Sequence, residues 1–95
     1  MNKIKVIAEI GINHNGSIEI AKKLIDLAKL ADCDYVKFQK RDPDIAVPNN
    51  KKKEIVQTPW GKIKYIEYKK KIEFNLSEYV EIDKYCKDKK IKWFA

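Results

Sequence analysis

A carboxylate, two asparagines, two glycines and the chain's single histidine fall within eight residues, Glu9-Ile10-Gly11-Ile12-Asn13-His14-Asn15-Gly16. A carboxylate can take or give a proton, amides donate and accept hydrogen bonds, and glycine lets backbone approach a ligand closely. Glu9 has two readings: an ion-paired residue at a strand end, or a functional carboxylate facing a polar cavity, because unpaired burial would be costly. Further on, Lys37 and Gln39 alternate with Val36 and Phe38, which puts the polar pair on one face of an extended segment. If that face is enclosed, Lys37 needs an anion, and Glu9 or a bound phosphate or carboxylate would serve. If it is half-exposed, Lys37 is an ordinary surface lysine. His14 alone reads as a hydrogen-bonded turn residue rather than a catalyst, and no second histidine exists to build a metal set with it. The glycines form neither a G-x-G-x-x-G fingerprint nor a P-loop.

These groups need elements to hold them. Residues 4–10 are nearly continuous apolar sequence, broken by Lys5 and Glu9, and predict a parallel-sheet strand covered on both faces. Ser17 is a helix cap with Glu19 in the first turn. Ile18, Ala21, Leu24, Ile25, Ala28 and Ala31 then recur at helical spacing, predicting a helix over 18–31. Asp32-Cys33-Asp34 turns the chain into a second strand over 35–39. About thirty residues separate the strand starts, the size of one βαβ unit. Ligands in such folds sit at the C-terminal ends of the strands, where the Glu9–Gly16 turn lies.

Between 40 and 75 the periodicity is lost. Pro43 and Pro48 argue against regular structure nearby, and Asn49-Asn50-Lys51-Lys52-Lys53 is a polar bend. A connection this long, about 40–76, predicts a functional insertion or lid. Thr58-Pro59-Trp60 predicts the start of a helix over 60–72, carrying Tyr65 and Tyr68. Ser77 predicts the cap of a helix over 78–89, with Tyr79, Ile82 and Cys86 on one face. Ile91-Lys92-Trp93-Phe94-Ala95 predicts a third strand. Three strands cannot close a barrel and leave an unpaired edge, so the chain is expected to be part of something larger or a partner-completed module.

Composition narrows the function classes. The net charge of +7 comes almost wholly from lysine, with Arg41 the one arginine. Arginine is the residue that nucleic-acid binders favour for phosphate and base contacts, so nucleic-acid binding is not expected, while an anionic small substrate would benefit from the field. No apolar run approaches the roughly 18 residues of a membrane span. Met1-Asn2-Lys3 and the short run after it lack a secretory cleavage pattern, so the expected location is the cytoplasm. Cys33 and Cys86 read as reduced, packed thiols.

The strings Ala8-Glu9-Ile10-Gly11-Ile12-Asn13-His14-Asn15-Gly16, Val36-Lys37-Phe38-Gln39-Lys40, Pro59-Trp60-Gly61, Leu76-Ser77 and Trp93-Phe94-Ala95 resemble the N-terminal part of the N-acetylneuraminate (sialic acid) synthase family. The resemblance runs along essentially the whole chain and covers the first quarter to third of a family member. It implies a partial (β/α)8 TIM barrel: first strand, first helix, second strand, insertion, second helix and the start of a third strand. Residues 1–95 are then the N-terminal part of that barrel.

The resemblance also implies an activity. Family members condense phosphoenolpyruvate with an N-acetylated hexosamine such as N-acetylmannosamine, giving a nine-carbon 2-keto acid and phosphate. Glu9 is implied as the catalytic carboxylate that orients or activates water, and Lys37 as a ligand of phosphoenolpyruvate. Gln39 lines the same site, and Asn13 and His14 shape it. A divalent metal, Mn²⁺ or Mg²⁺, is implied with its ligands outside this chain, as is a homodimer for the complete protein. The segment alone is expected to be inactive. The alternative is a truncated, non-catalytic module that binds an anion or a partner chain.

Overall fold

A computed structural model describes residues 4–95. The Met1-Asn2-Lys3 start, on which the expectation of no leader partly rests, lies outside them. Along the chain run β1 (Ile7–Gly11), α1 (Ile18–Leu30), β2 (Tyr35–Phe38), α2 (Pro43–Ala46), β3 (Ile55–Thr58), β4 (Gly61–Lys64), α3 (Tyr65–Ile72), α4 (Leu76–Lys89) and β5 (Lys92–Phe94). β1, β2 and β5 form a parallel sheet in that spatial order, and β3 and β4 form a separate antiparallel hairpin. The fold class is therefore α/β, with α1 and α4 as the crossover helices that parallel pairing demands.

Both crossover helices cover one face of the sheet. Ala21, Ile25 and Ala28 of α1 and Tyr79, Ile82 and Cys86 of α4 are buried against Ile10, Val36 and Phe38. Polar contacts join the helices at their outer edges: Lys22 Nζ meets Glu81 Oε1 at 2.8 Å and the Tyr85 hydroxyl donates to Asp26 Oδ1 at 2.7 Å. Burial pushes the Cys86 thiol up to about 11, so it packs as a neutral thiol; Cys33 is also unbridged. The pleat sends Glu9, Lys37 and Phe94, which pair across the three strands, to the opposite face. No element among the described residues covers that face.

The structure corrects the sequence reading in four places. The first strand begins at Ile7, and its far face is open rather than covered: Val6 and Ile7 are half-exposed because β1 is an edge strand with helices on one side only. Pro43 does not prevent regular structure but starts α2, since its fixed φ suits the first helical position, and Asp42 caps the turn. Residues 55–64 form a hairpin where a helix from 60 was expected, so α3 starts only at Tyr65. The β-branched Ile55, Val56, Thr58 and Ile63 favour strand, and the Thr58 hydroxyl closes the turn by accepting from Trp60 N–H at 3.1 Å and donating to the Gly61 carbonyl at 2.7 Å. Finally, Asn75 rather than Ser77 caps α4. Asn75 Oδ1 accepts from Glu78 N–H while the Glu78 carboxylate accepts from Asn75 N–H, both at 2.9 Å, a reciprocal cap that Ser77, inside the helix, only supports.

Candidate active site

At the C-terminal ends of β1 and β2 a cavity of about 640 Å³ opens. Its walls include Glu9, Gly11 and Asn13 from the first strand and turn, Lys37 and Gln39 from the second strand and its end, and Lys40 and Arg41 beyond it. Glu9 pairs in register with Lys37, and the next partner of β2, Phe38, faces Gly11, so the ladder slips by one residue between Glu9 and Gly11. The irregularity lies just past Glu9, whose side chain the pleat already directs to the opening, and it ends β1. Gly11 has φ +56°, and a Cβ there would stand 3.3 Å from Glu9 Oε1. Glycine at this point permits the left-handed backbone turn.

Lys37 Nζ lies 3.5 Å from Glu9 Oε2, with the two side chains 46% and 60% exposed. A pair this exposed adds little to stability, on the order of 0–1 kcal/mol. Its value is chemical: a carboxyl group and an amino group face the same space. Asn13 stands at the rim with its N–H donating to the Ile10 carbonyl at 3.0 Å, and half-buried Gln39 continues the wall.

His14 is placed differently. Only 1% exposed, it is packed beneath the turn, outside the cavity wall, stacked on Phe74 with ring centroids 4.0 Å apart. Its Nδ1 accepts from Gly16 N–H at 2.9 Å, and Nε2 is buried with no partner. Burial lowers its pKa, with the Gly11 carbonyl opposing. It is a neutral ring that holds the turn from below. The geometry thus gathers Glu9, Asn13, Lys37 and Gln39 around one space and sets His14 under it.

Lys40 and Arg41 were given no site role on sequence grounds, yet both line the cavity. The signal was their position just past a strand's C-terminal end. Arg41 N–H is held by the Glu73 carboxylate, 3.2 Å from each oxygen, and the Tyr79 hydroxyl donates to the Gln39 carbonyl at 3.4 Å. Both contacts tie the segment after β2 to the region where α4 begins. Among the described residues no cluster of three histidines, cysteines or acids could hold a metal ion, and Glu9 is the one carboxylate in the cavity wall.

A parallel α/β sheet with a carboxylate and a lysine facing a cavity at its strand ends places polar groups where α/β folds bind small ligands. Comparison with known proteins specifies the class. Residues 24–95 match the model of the NeuB family. The chain is 37% identical over 97 residues to N-acetylneuraminate-9-phosphate synthase of Drosophila melanogaster, a match covering 100% of this chain and 26% of that protein. It is 38% identical over 86 residues to the Homo sapiens enzyme of the same name, covering 87% of this chain and 23% of that one. It also superimposes on the crystal structure of N-acetylneuraminic acid synthetase from Leptospira borgpetersenii with a TM-score of 0.80 and 28% identity, over 99% of this chain and 29% of that chain. This chain belongs to the NeuB family. It spans about a quarter of the length of the curated relatives it matches.

Proposed function

We propose that the protein carrying this chain is a sialic-acid-type synthase. It condenses phosphoenolpyruvate with N-acetylmannosamine, or a related N-acetylated sugar, to a nine-carbon 2-keto acid and releases phosphate. The observation that carries this reading is the Glu9–Lys37 pair, 3.5 Å apart on adjacent strands and facing the cavity at their ends. In this reading the three parallel strands are the first of a (β/α)8 barrel, residues 40–76 are an insertion over its mouth, and the whole protein is a cytoplasmic homodimer. No helix among the described residues is long and apolar enough to cross a membrane.

The reaction joins C3 of phosphoenolpyruvate to the aldehyde carbon of the open-chain sugar. Water adds at C2, and the tetrahedral intermediate expels phosphate by breaking the C2–O bond. Lys37 holds an anionic group of phosphoenolpyruvate by a charge-assisted hydrogen bond. Glu9 orients the attacking water and takes its proton. Asn13 and Gln39 offer hydrogen bonds to the substrates, and His14 keeps the turn under Asn13 in place. A divalent metal, Mn²⁺ or Mg²⁺, would polarise the sugar aldehyde. Its ligands would come from outside this chain: among the described residues no three histidines, cysteines or acids cluster to hold a metal ion.

The test is Glu9→Gln in the intact protein. The amide keeps the shape and removes the proton acceptor. The turnover number is expected to fall by about 10²-fold or more, with the KM for phosphoenolpyruvate changed only a few-fold. Unchanged turnover would remove Glu9 from catalysis and this reading with it.

A further inference from the structure

Gln39, Lys40 and Arg41, just past β2, line the cavity at the strand ends, yet none of them lies in a helix or strand. Their backbone is held from outside the segment instead. Gln39 N–H donates to the Gly11 carbonyl at 3.4 Å, the Gln39 carbonyl accepts from the Tyr79 hydroxyl at 3.4 Å, and Arg41 N–H meets both Glu73 oxygens at 3.2 Å. Of these anchors Tyr79 is the side chain with the most rigid setting. It is buried in the first turn of α4 and stacks on Trp93, with ring centroids 5.6 Å apart and planes 9° from parallel. Phe74 meets it edge-on at 5.9 Å. Trp93 is itself pinned, its Nε1–H donating to Asp83 Oδ1 at 2.9 Å. The Lys40 ammonium lies 5.8 Å from the centre of the Tyr79 ring.

A ring stacked on one neighbour and met edge-on by another cannot swing its hydroxyl away without breaking both contacts. Burial, with the Glu73 and Glu78 carboxylates, pushes the phenol up to about 12, so the hydroxyl keeps its proton and stays a donor at neutral pH. A core role asks only for the ring, which phenylalanine would fill equally well. The hydroxyl, aimed at the backbone carbonyl of a cavity residue, asks for tyrosine. We propose that Tyr79 is a positioning residue: its hydroxyl fixes the Gln39 peptide and, through it, the Gln39 side chain against substrate in the cavity. The proposal rests on the reading above, in which Gln39 offers hydrogen bonds to the substrates.

The experiment makes Tyr79→Phe in the intact protein, in the wild-type and the Gln39→Ala backgrounds. Phenylalanine keeps the ring stack and the Lys40 contact and removes only the hydroxyl. In the wild type, kcat/KM for the condensation is expected to fall by at least about fivefold, the effect of one hydrogen bond. In Gln39→Ala the same substitution is expected to cost less than about twofold, because the side chain it positions is gone. Equal losses in the two backgrounds, as damaged packing alone would give, overturn the proposal, and so does an unchanged kcat/KM in the wild type. If the intact protein condenses nothing, the parent reading has failed, and amide hydrogen exchange decides the positioning separately; it also decides if Gln39→Ala is too slow to measure. Exchange of the Gln39 and Arg41 N–H groups at least about threefold faster in Tyr79→Phe than in the wild type supports the role, and unchanged exchange overturns it.

Discussion

Gly11 shapes the turn that follows Glu9: its backbone is left-handed at φ +56°, a conformation that favours glycine. The glutamate, the lysine and the bracketing glycines were legible as a site because their types and spacing carry chemistry. Whether Lys37 is enclosed was not legible, since enclosure depends on chain packed against that face. His14 shows another limit. Its neighbours in sequence are polar, but its neighbour in space is Phe74, which joins it only once the 40–75 connection has folded back. A buried neutral ring gives a pH signature. Its folded-state pKa lies below the ordinary 6.5, so the unfolded chain binds the proton first. Stability from this group is full above the unfolded value and is lost as pH falls through the folded one. Urea unfolding of the intact protein at about pH 7.5 and about pH 5.5 should show the wild type losing more stability than His14→Phe on acidification. Equal losses would mean that His14 titrates alike in the folded and unfolded protein, with no lowering by burial.

At the scale of elements, α1 and β2 were readable from periodicity because each buries a single regular face, whereas β1 read as an apolar run covered on both faces although only one is covered here. The β3–β4 hairpin was not readable, because Pro59 looked like a helix start. Two devices decided it: β-branched residues on both sides and the Thr58 hydroxyl closing the turn. Nor was the seating of α3 against the first turn readable. Gly16 has φ +76°, and a Cβ there would collide with the Lys71 carbonyl oxygen at the end of α3. Gly16 is therefore, with the His14–Phe74 stack, a contact through which the 40–76 connection is seated on the site turn. Gly16→Ala adds a left-handed backbone penalty to a backbone clash, together about 3 kcal/mol of destabilisation. Thermal or urea unfolding measures it; a loss below about 1 kcal/mol would mean that α3 moves away freely.

The whole molecule has an incomplete look that its energetics explain. A compact domain of this length would have a radius of gyration of about 12 Å. The value here is 15.2 Å, with extents of 50 × 27 × 22 Å. Ile4, Leu30 and Leu76 are each at least 80% exposed, and the sheet face bearing Glu9, Lys37 and Phe94 has no layer over it. Exposed apolar surface and open strand edges on this scale are what further chain or a partner would cover. The strand count raises that expectation, and the chain spans about a quarter of its relatives' length. The open face is also where the candidate chemistry lies, so the proposed activity is tested on the intact protein. The most direct measurement supplies the intact protein with N-acetylmannosamine, or its 6-phosphate, and phosphoenolpyruvate carrying heavy oxygen at the C2–O–P bridge. The expected result is a nine-carbon 2-keto acid with the label wholly in the released phosphate. No condensation product with either sugar, or label retained in the keto acid, would contradict it.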